Sequence, residues 1–182
     1  VSRPDRRGSS PLYIAAVNRW LNVVRVLIEF GAEPAQRDRF GRTALHVTSE
    51  KGYEDVAGFL LDWGATVDDV DQDGRSPLHY AAMGGQIDMV KLLVGRGAHL
   101  ESTANSGNTP FFVACVRNHN ALARLFLEDY HVNVFSPRND GRLPMWSAAV
   151  CGNLGLVELL LDHGADVHLA ATDDTEQTPL IL

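Results

Sequence analysis

Ser76-Pro77-Leu78-His79-Tyr80-Ala81-Ala82 is the stretch that decides the fold, because the same block returns along the chain. The positions 33 residues upstream read Thr43-Ala44-Leu45-His46-Val47-Thr48-Ser49, and 33 before those lies Ser10-Pro11-Leu12-Tyr13-Ile14-Ala15-Ala16. Downstream come Thr109-Pro110-Phe111-Phe112-Val113-Ala114-Cys115, Leu143-Pro144-Met145-Trp146-Ser147-Ala148-Ala149 and Thr178-Pro179-Leu180-Ile181-Leu182, at intervals of 33, 34 and 35. A fixed period of this length means one supersecondary unit used repeatedly, and a unit too small to bury its own apolar faces must stack on its neighbours.

The residue types inside the block say what the unit is. Its first Ser or Thr can accept a hydrogen bond from a free amide at a helix start, and the Pro that follows lacks an N–H that would have no partner there. Two residues earlier stand Gly8, Gly41, Gly74, Gly107 and Gly141, with Glu176 in the last copy, where a tight hairpin needs positive φ. Further on, each copy carries a second apolar run interrupted once: Val23 to Ile28, Val56 to Leu61, Met89 to Val94, Leu122 to Leu127 and Leu156 to Leu161. Such spacing lays a broad apolar stripe on a helix. Between the helices lies a turn residue, namely Gly52, Gly85 or Gly152, with Asn118 in the fourth copy and Arg19 in the first, where strain is expected. Gly84-Gly85 is read as a helix-connecting turn. Gly31-Ala32, Gly64-Ala65, Gly97-Ala98 and Gly164-Ala165 supply the left-handed residue that ends a helix. Leu143 lacks the capping hydroxyl, which is expected to cost about 1 kcal/mol.

The 33-residue period, the Thr/Ser-Pro-Leu-His-x-Ala-Ala block and the Gly-Ala terminator together resemble ankyrin repeats over essentially the whole chain. The resemblance implies an all-α solenoid of helix-turn-helix units joined by β-hairpin loops. The copies fall at residues 1–37, 38–70, 71–103, 104–137 and 138–172, with the start of a sixth at 173–182. The fourth is irregular: Phe111-Phe112 replaces Leu-His, Glu128-Asp129-Tyr130-His131 stands where others end in Gly-Ala, and one residue is extra. Drift with a loop rearrangement explains this, as does a bulge that touches a partner. Neither end carries the polar outer face of a terminal repeat, so further repeats are expected to flank this segment.

Composition narrows the function classes. A net charge of -7 argues against general affinity for a polyphosphate backbone. No apolar run approaches the roughly 20 residues of a bilayer span. Cys115 and Cys151 are the only cysteines; they cannot build a disulfide framework, which suits a reducing cytoplasmic or nuclear setting. Cys115 is read as a small buried hydrophobe, Cys151 as more exposed, and a bond between them as doubtful. Asp5, Asp38, Asp71 and Asp173 each fall five residues before a helix-opening Ser or Thr, which marks them as turn residues and argues against an acid/base or metal site. The histidines lack metal-ligand spacing, and the resemblance implies that His46 and His79 hydrogen-bond within and between hairpins. No phosphate loop or nucleophile motif appears. The chain is therefore expected to be no enzyme and to require no metal, cofactor or small-molecule substrate.

What remains is the outward surface. The resemblance implies that a protein partner lies against the hairpin tips and the inner, first-helix face. On this chain the partner-binding positions would be Arg6, Arg7, Arg39, Phe40, Arg42, Gln72, Asp73, Arg75, Met83, Asn105, Asn108, Arg117, Asn139 and Arg142. Of the 14 arginines, nine (Arg3, Arg6, Arg7, Arg37, Arg39, Arg42, Arg75, Arg138 and Arg142) belong to hairpin segments, although the chain is acidic. Guanidinium groups make forked bonds to carboxylate or phosphate. The ridge thus suits an acidic or phosphorylated segment, unless Asp5, Asp38, Asp71 and Asp73 neutralise it. The other expectations are a spacer between domains and an autoinhibitory segment. Asn133, in His131-Val132-Asn133-Val134, resembles the Asp-Val-Asn stretch that ankyrin repeats offer to asparagine hydroxylation.

Overall fold

The computed structural model describes residues 8–168. Arg3, Asp5, Arg6, Arg7, Asp173, Asp174 and Glu176, and with them the opening of the sixth copy at Thr178, lie outside the described residues. Ten helices run through the described residues: α1 (Pro11–Val17), α2 (Leu21–Glu29), α3 (Ala44–Lys51), α4 (Glu54–Asp62), α5 (Pro77–Gly84), α6 (Ile87–Gly95), α7 (Pro110–Val116), α8 (Asn120–Glu128), α9 (Pro144–Val150) and α10 (Leu154–Asp162). None is long and apolar enough to cross a membrane.

The odd-numbered helices start where the repeat block starts, for the expected reason. Ser10 Oγ and Thr109 Oγ1 each accept the amide of the residue three further on, Tyr13 and Phe112, at 3.1 Å. Thr43 and Ser76 form reciprocal capping boxes in which His46 and His79 take the place that Glu or Gln usually holds. Leu143 makes no side-chain cap bond, as read from its sequence. Arg19 and Asn118 hold left-handed backbone at φ 57 and 59, so the first copy's turn does place a long side chain where glycine is favoured.

The hairpins of the second to fifth copies are present as short hydrogen-bonded turns. Asp38 N–H donates to the Arg42 carbonyl at 2.9 Å, and Gly41 N–H, with φ 79, donates to the Asp38 carbonyl at 3.0 Å. No strand is assigned among the described residues, because so short a hairpin has no second rung.

The chain forms two compact units, residues 1–99 and 100–182. In the first, α1, α3 and α5 pack side by side, as do α2, α4 and α6. Their shared interior includes Leu12, Ala15, Ala16, Val24, Ile28, Ala44, Val56 and Leu60. Alanine recurs on the first helices because a methyl lets their backbones approach closely. Gly84 is a stronger case: a Cβ there would collide with the carbonyl oxygen of Glu50, the penultimate residue of α3. It closes α5 and is a packing residue as well as part of a turn. In the second unit α7 packs on α8 and α9, and α10 on α8 and α9. Phe111, Phe126, Leu122, Leu156 and Leu160 are buried there, with Phe111 and Phe126 meeting edge to face at 6.3 Å. Each such side chain contributes about 1.5–3 kcal/mol by leaving water.

The extra residue of the fourth copy sits at the end of α8. Val132 N–H reaches back six residues to Phe126, whereas Ala32, Ala65, Ala98 and Ala165 reach back five. His131 takes left-handed backbone at φ 51, where the regular copies place Gly31, Gly64, Gly97 and Gly164. On the first copy Trp20, Val23, Val26 and Phe30 are exposed, whereas Val56, the counterpart of Val23 one repeat on, is fully buried.

Candidate functional site

In the first unit the hairpins of the second and third copies lie side by side, tied by Gln72 N–H donating to the Phe40 carbonyl at 3.0 Å. Each is built around its turn aspartate. Asp38 Oδ1 accepts the amides of Phe40 and Arg42, both at 2.9 Å. Its Oδ2 accepts Arg42 Nε at 2.9 Å and Nη2 at 2.7 Å, a forked pair. Burial alone would raise the Asp38 pKa; hydrogen bonds from the Arg42 guanidinium and from the Arg42 and Phe40 amides outweigh it and hold the carboxyl below its ordinary value. Asp71 repeats the first half of this pattern, its Oδ1 accepting the amides of Asp73 at 2.9 Å and Arg75 at 2.8 Å. Its Oδ2 accepts the Tyr80 hydroxyl at 2.8 Å instead of a guanidinium. Burial first, and then that bond to Asp71, push the Tyr80 pKa far up and keep its proton in place.

Between the two tips lies a cavity of about 240 Å³ lined by Phe40, Arg42, Asp71, Gln72, Asp73, Arg75 and Tyr80. Phe40 is half-exposed, with the Arg39 and Arg42 guanidinium carbons 4.7 and 5.0 Å from its ring centre. Arg42 also lies 5.7 Å from the ring of Tyr13, whose hydroxyl pKa burial raises to about 12. His46 ties α3 to the third hairpin. Thr43 N–H donates to its Nδ1 at 3.1 Å, which leaves the ring proton on Nε2, and Nε2 donates to the Arg75 carbonyl at 3.1 Å. Burial lowers the His46 pKa, so the ring is neutral. Thus His46 does bond between hairpins, and Arg75 has both its backbone groups held.

The structure shows where the ridge arginines spend their charge. Arg37 pairs with Asp69 at 2.6 Å and donates to the Gly41 and Val70 carbonyls. Arg42 pairs with Asp38, and Arg75 Nη1 with Asp73 at 3.1 Å. In the second unit Arg138 and Arg142 both lie near Asp140, at 3.6 and 3.7 Å. Only Arg39 of these tip arginines has no carboxylate partner among the described residues. Among the described residues, the positive ridge suggested by counting arginines is thus largely neutralised in place, by Asp69 and Asp140 as well as by Asp38 and Asp73.

Of the expected binding residues, Arg39, Phe40, Arg42, Gln72, Asp73 and Arg75 converge on this notch, while Arg6 and Arg7 lie outside the described residues. Met83 is half-buried near the end of α5. In the second unit Asn139 Nδ2 donates to the Asn105 carbonyl at 2.8 Å and Asn139 N–H to Ser106 at 3.2 Å, so these tips also lie side by side. The Asn108 carbonyl closes the Ala104 turn at 3.0 Å, and Arg142 stacks 4.1 Å from the Trp146 ring centre. Arg117 is exposed at the end of α7, away from the hairpins. The turn-aspartate positions hold Ala104 and Arg138 in this unit, so the pattern of the first three copies stops there.

Sequence reading missed Tyr80 as a site residue. Its signal was a hydroxyl where the other copies carry Ile14, Val47, Val113 and Ser147, three of them wholly apolar. The asparagine reading is also corrected. Asn133 Oδ1 accepts the Phe135 amide at 2.9 Å as Asp166 Oδ1 accepts the His168 amide at 2.8 Å, so Asn133 occupies the Asp position of that stretch, two residues before its Asn. Cys115 is buried, with burial pushing its thiol pKa far up, while Cys151 is exposed; both are free thiols.

Comparison with known proteins agrees with this architecture. A family model described as ankyrin repeats (3 copies) matches residues 1–71 and 97–171, and one described as ankyrin repeat matches residues 73–105. No curated protein matches. Among solved structures, the chain is similar to the crystal structure of the ankyrin repeat domain of Bcl-3, described as a unique member of the IkappaB protein family. The two are 30% identical, with a TM-score of 0.84 over 98% of this chain and 79% of that one.

Proposed function

The chain belongs to the ankyrin-repeat family, whose members generally bind other proteins, and on that premise we propose that it is a recognition module taking a protein partner at its hairpin tips and inner first-helix face. The observation that carries this reading is the notch between the second and third hairpins. It combines an exposed aromatic ring, Phe40, with the guanidinium groups of Arg39, Arg42 and Arg75, the residue types that dominate binding energy at interfaces. Its backbone is held by turn bonds on both sides, so a partner would meet a preformed surface and little ordering entropy would be lost.

The partner segment best suited to the notch is acidic and not densely phosphorylated. Most tip arginines already have carboxylates, which leaves room for single negative charges but little excess positive potential to hold a dianion. A benzophenone side chain placed at Phe40 tests the reading in cells. It should crosslink to a protein that a probe at Lys91, on the exposed side of α6, does not capture, and Phe40→Ala with Arg75→Glu should weaken binding of that protein without changing the circular dichroism spectrum. Equal capture from both positions would point instead to a spacer, and capture of an enzyme on the same polypeptide to an autoinhibitory segment.

A further inference from the structure

The second helices of the first unit, α2, α4 and α6, pack in series and are each nine residues long. Each is followed by a cap with nearly the same backbone, φ −91, −103 and −98 at Phe30, Trp63 and Arg96, so the side chains at these caps leave the stack in the same direction. Arg96 reaches back to the last residue of α4 and pairs with Asp62 at 2.8 Å. One repeat earlier the same two positions hold Trp63 and Glu29. An indole cannot neutralise a carboxylate, and among the described residues no basic side chain forms an ion pair with Glu29. Arg25, one turn before Glu29 on α2, is turned to the Phe59 ring instead, its guanidinium carbon 4.7 Å from the ring centre.

Glu29 is also unfavourably placed in the helix it ends. A helix C-terminus carries the negative end of the dipole, where a cation is favoured, yet neither α2 nor α4 has a basic residue in its last turn. The charged side chains at this end of the two helices are the acids Glu29, Glu33 and Asp62 against Arg25 and Arg96, so the balance is negative before the helix ends are counted. Trp63 is 51% exposed, outside the core, and its ring meets that of Phe59 at 5.7 Å. An exposed indole beside an unpaired carboxylate suits a guanidinium, whose forked N–H groups meet the carboxylate while its flat face meets the ring. We propose that the step between the C-terminal ends of α2 and α4 takes an arginine side chain of a basic partner segment, bound to Glu29 and stacked on Trp63, as Arg96 is bound to Asp62 one repeat on. Arginine is favoured over lysine, whose ammonium has neither fork nor plane. The site lies on the second helices, away from the hairpin tips, and stands independently of the notch.

The test uses the full chain in about 0.15 M salt, where the Debye length is about 8 Å and distant charges count little. Fluorescein-labelled hexaarginine and hexalysine, equal in charge, are compared by anisotropy, and the Trp63 indole N–H resonance is followed in the same titrations. Hexaarginine should bind at least fivefold tighter than hexalysine and move that resonance. Glu29→Gln should weaken hexaarginine binding at least fivefold, whereas Glu158→Gln, an equal charge change at an exposed position of α10, should alter it less than twofold. Trp63→Leu should lose at least threefold and with it the preference for arginine. Trp63→Arg supplies Glu29 from within with the guanidinium that Arg96 gives Asp62, so it should abolish hexaarginine binding and melt higher than the same variant carrying Glu29→Gln. Glu29 and Trp63 are both exposed, so these substitutions leave the core intact.

The proposal is overturned if wild type does not bind hexaarginine, if hexalysine binds as tightly, or if Glu29→Gln loses no more than Glu158→Gln. Undiminished binding by Trp63→Arg, or a melting temperature of that variant indifferent to Glu29→Gln, would overturn it as well, because position 63 would then not lie against Glu29.

Discussion

Replacing Gly84 by alanine sets two known effects against each other at one atom. In an open helix the added methyl stabilises by about 1 kcal/mol, because glycine is a poor helix former. At Gly84 the new Cβ would collide with the Glu50 carbonyl oxygen and lie 3.0 Å from both the Glu50 carbonyl carbon and Gln86 Cγ. Two of those three atoms are backbone, and the Gln86 amide is itself bonded to the Glu50 carbonyl at 3.1 Å, so relief requires α3 and α5 to separate. Forcing a methyl into such packing costs about 1–3 kcal/mol, and the fixed backbone on both sides places this site toward the upper end. The net expectation is a loss of about 1–2 kcal/mol. Gly58, inside α4, is the matched control: a Cβ there meets nothing within 4 Å, and Gly58→Ala should gain up to about 1 kcal/mol. Identical chemistry should therefore diverge by about 2–3 kcal/mol, which for a chain of this size separates the two Tm values by roughly 4–12 °C. Thermal melts followed by circular dichroism measure it. If Gly84→Ala melts at or above the temperature of Gly58→Ala, close approach at Glu50 is not what glycine serves at this position.

Thr109→Val removes the hydroxyl that accepts the Phe112 amide while nearly conserving volume at a buried site, so it should lower stability in urea titration by about 1–2 kcal/mol. Burial depresses the His46 pKa, so below about pH 6.5 the unfolded chain takes a proton that the folded chain resists, and stability falls as pH drops. Between pH 7 and 5 the wild type should therefore lose more stability than His46→Gln, as read from urea midpoints at each pH.

The relations legible in the sequence are those a residue makes with neighbours a few positions away. The helix starts at Ser10, Thr43, Ser76 and Thr109, the uncapped start at Leu143, the left-handed turn at Arg19 and the positive-φ hairpin glycines all follow from side-chain type and a fixed offset along the backbone. The 33-residue period then implied stacking, because one helix pair cannot bury both its faces.

Which group each charge meets is decided across repeats or between elements of one repeat, where the competition is geometric. Arg37 is spent on Asp69, one repeat on, and Gly84 is needed because the Glu50 carbonyl comes within a methyl's reach. Asp71 gives its second oxygen to Tyr80 nine residues away and Arg75 turns to Asp73, whereas Arg42 forks on Asp38, although the two hairpins read alike. A period in the sequence says that such groups recur; only the packed chain says which acceptor each donor reaches, because a hydrogen bond needs its two atoms about 3 Å apart and packing between elements sets that distance.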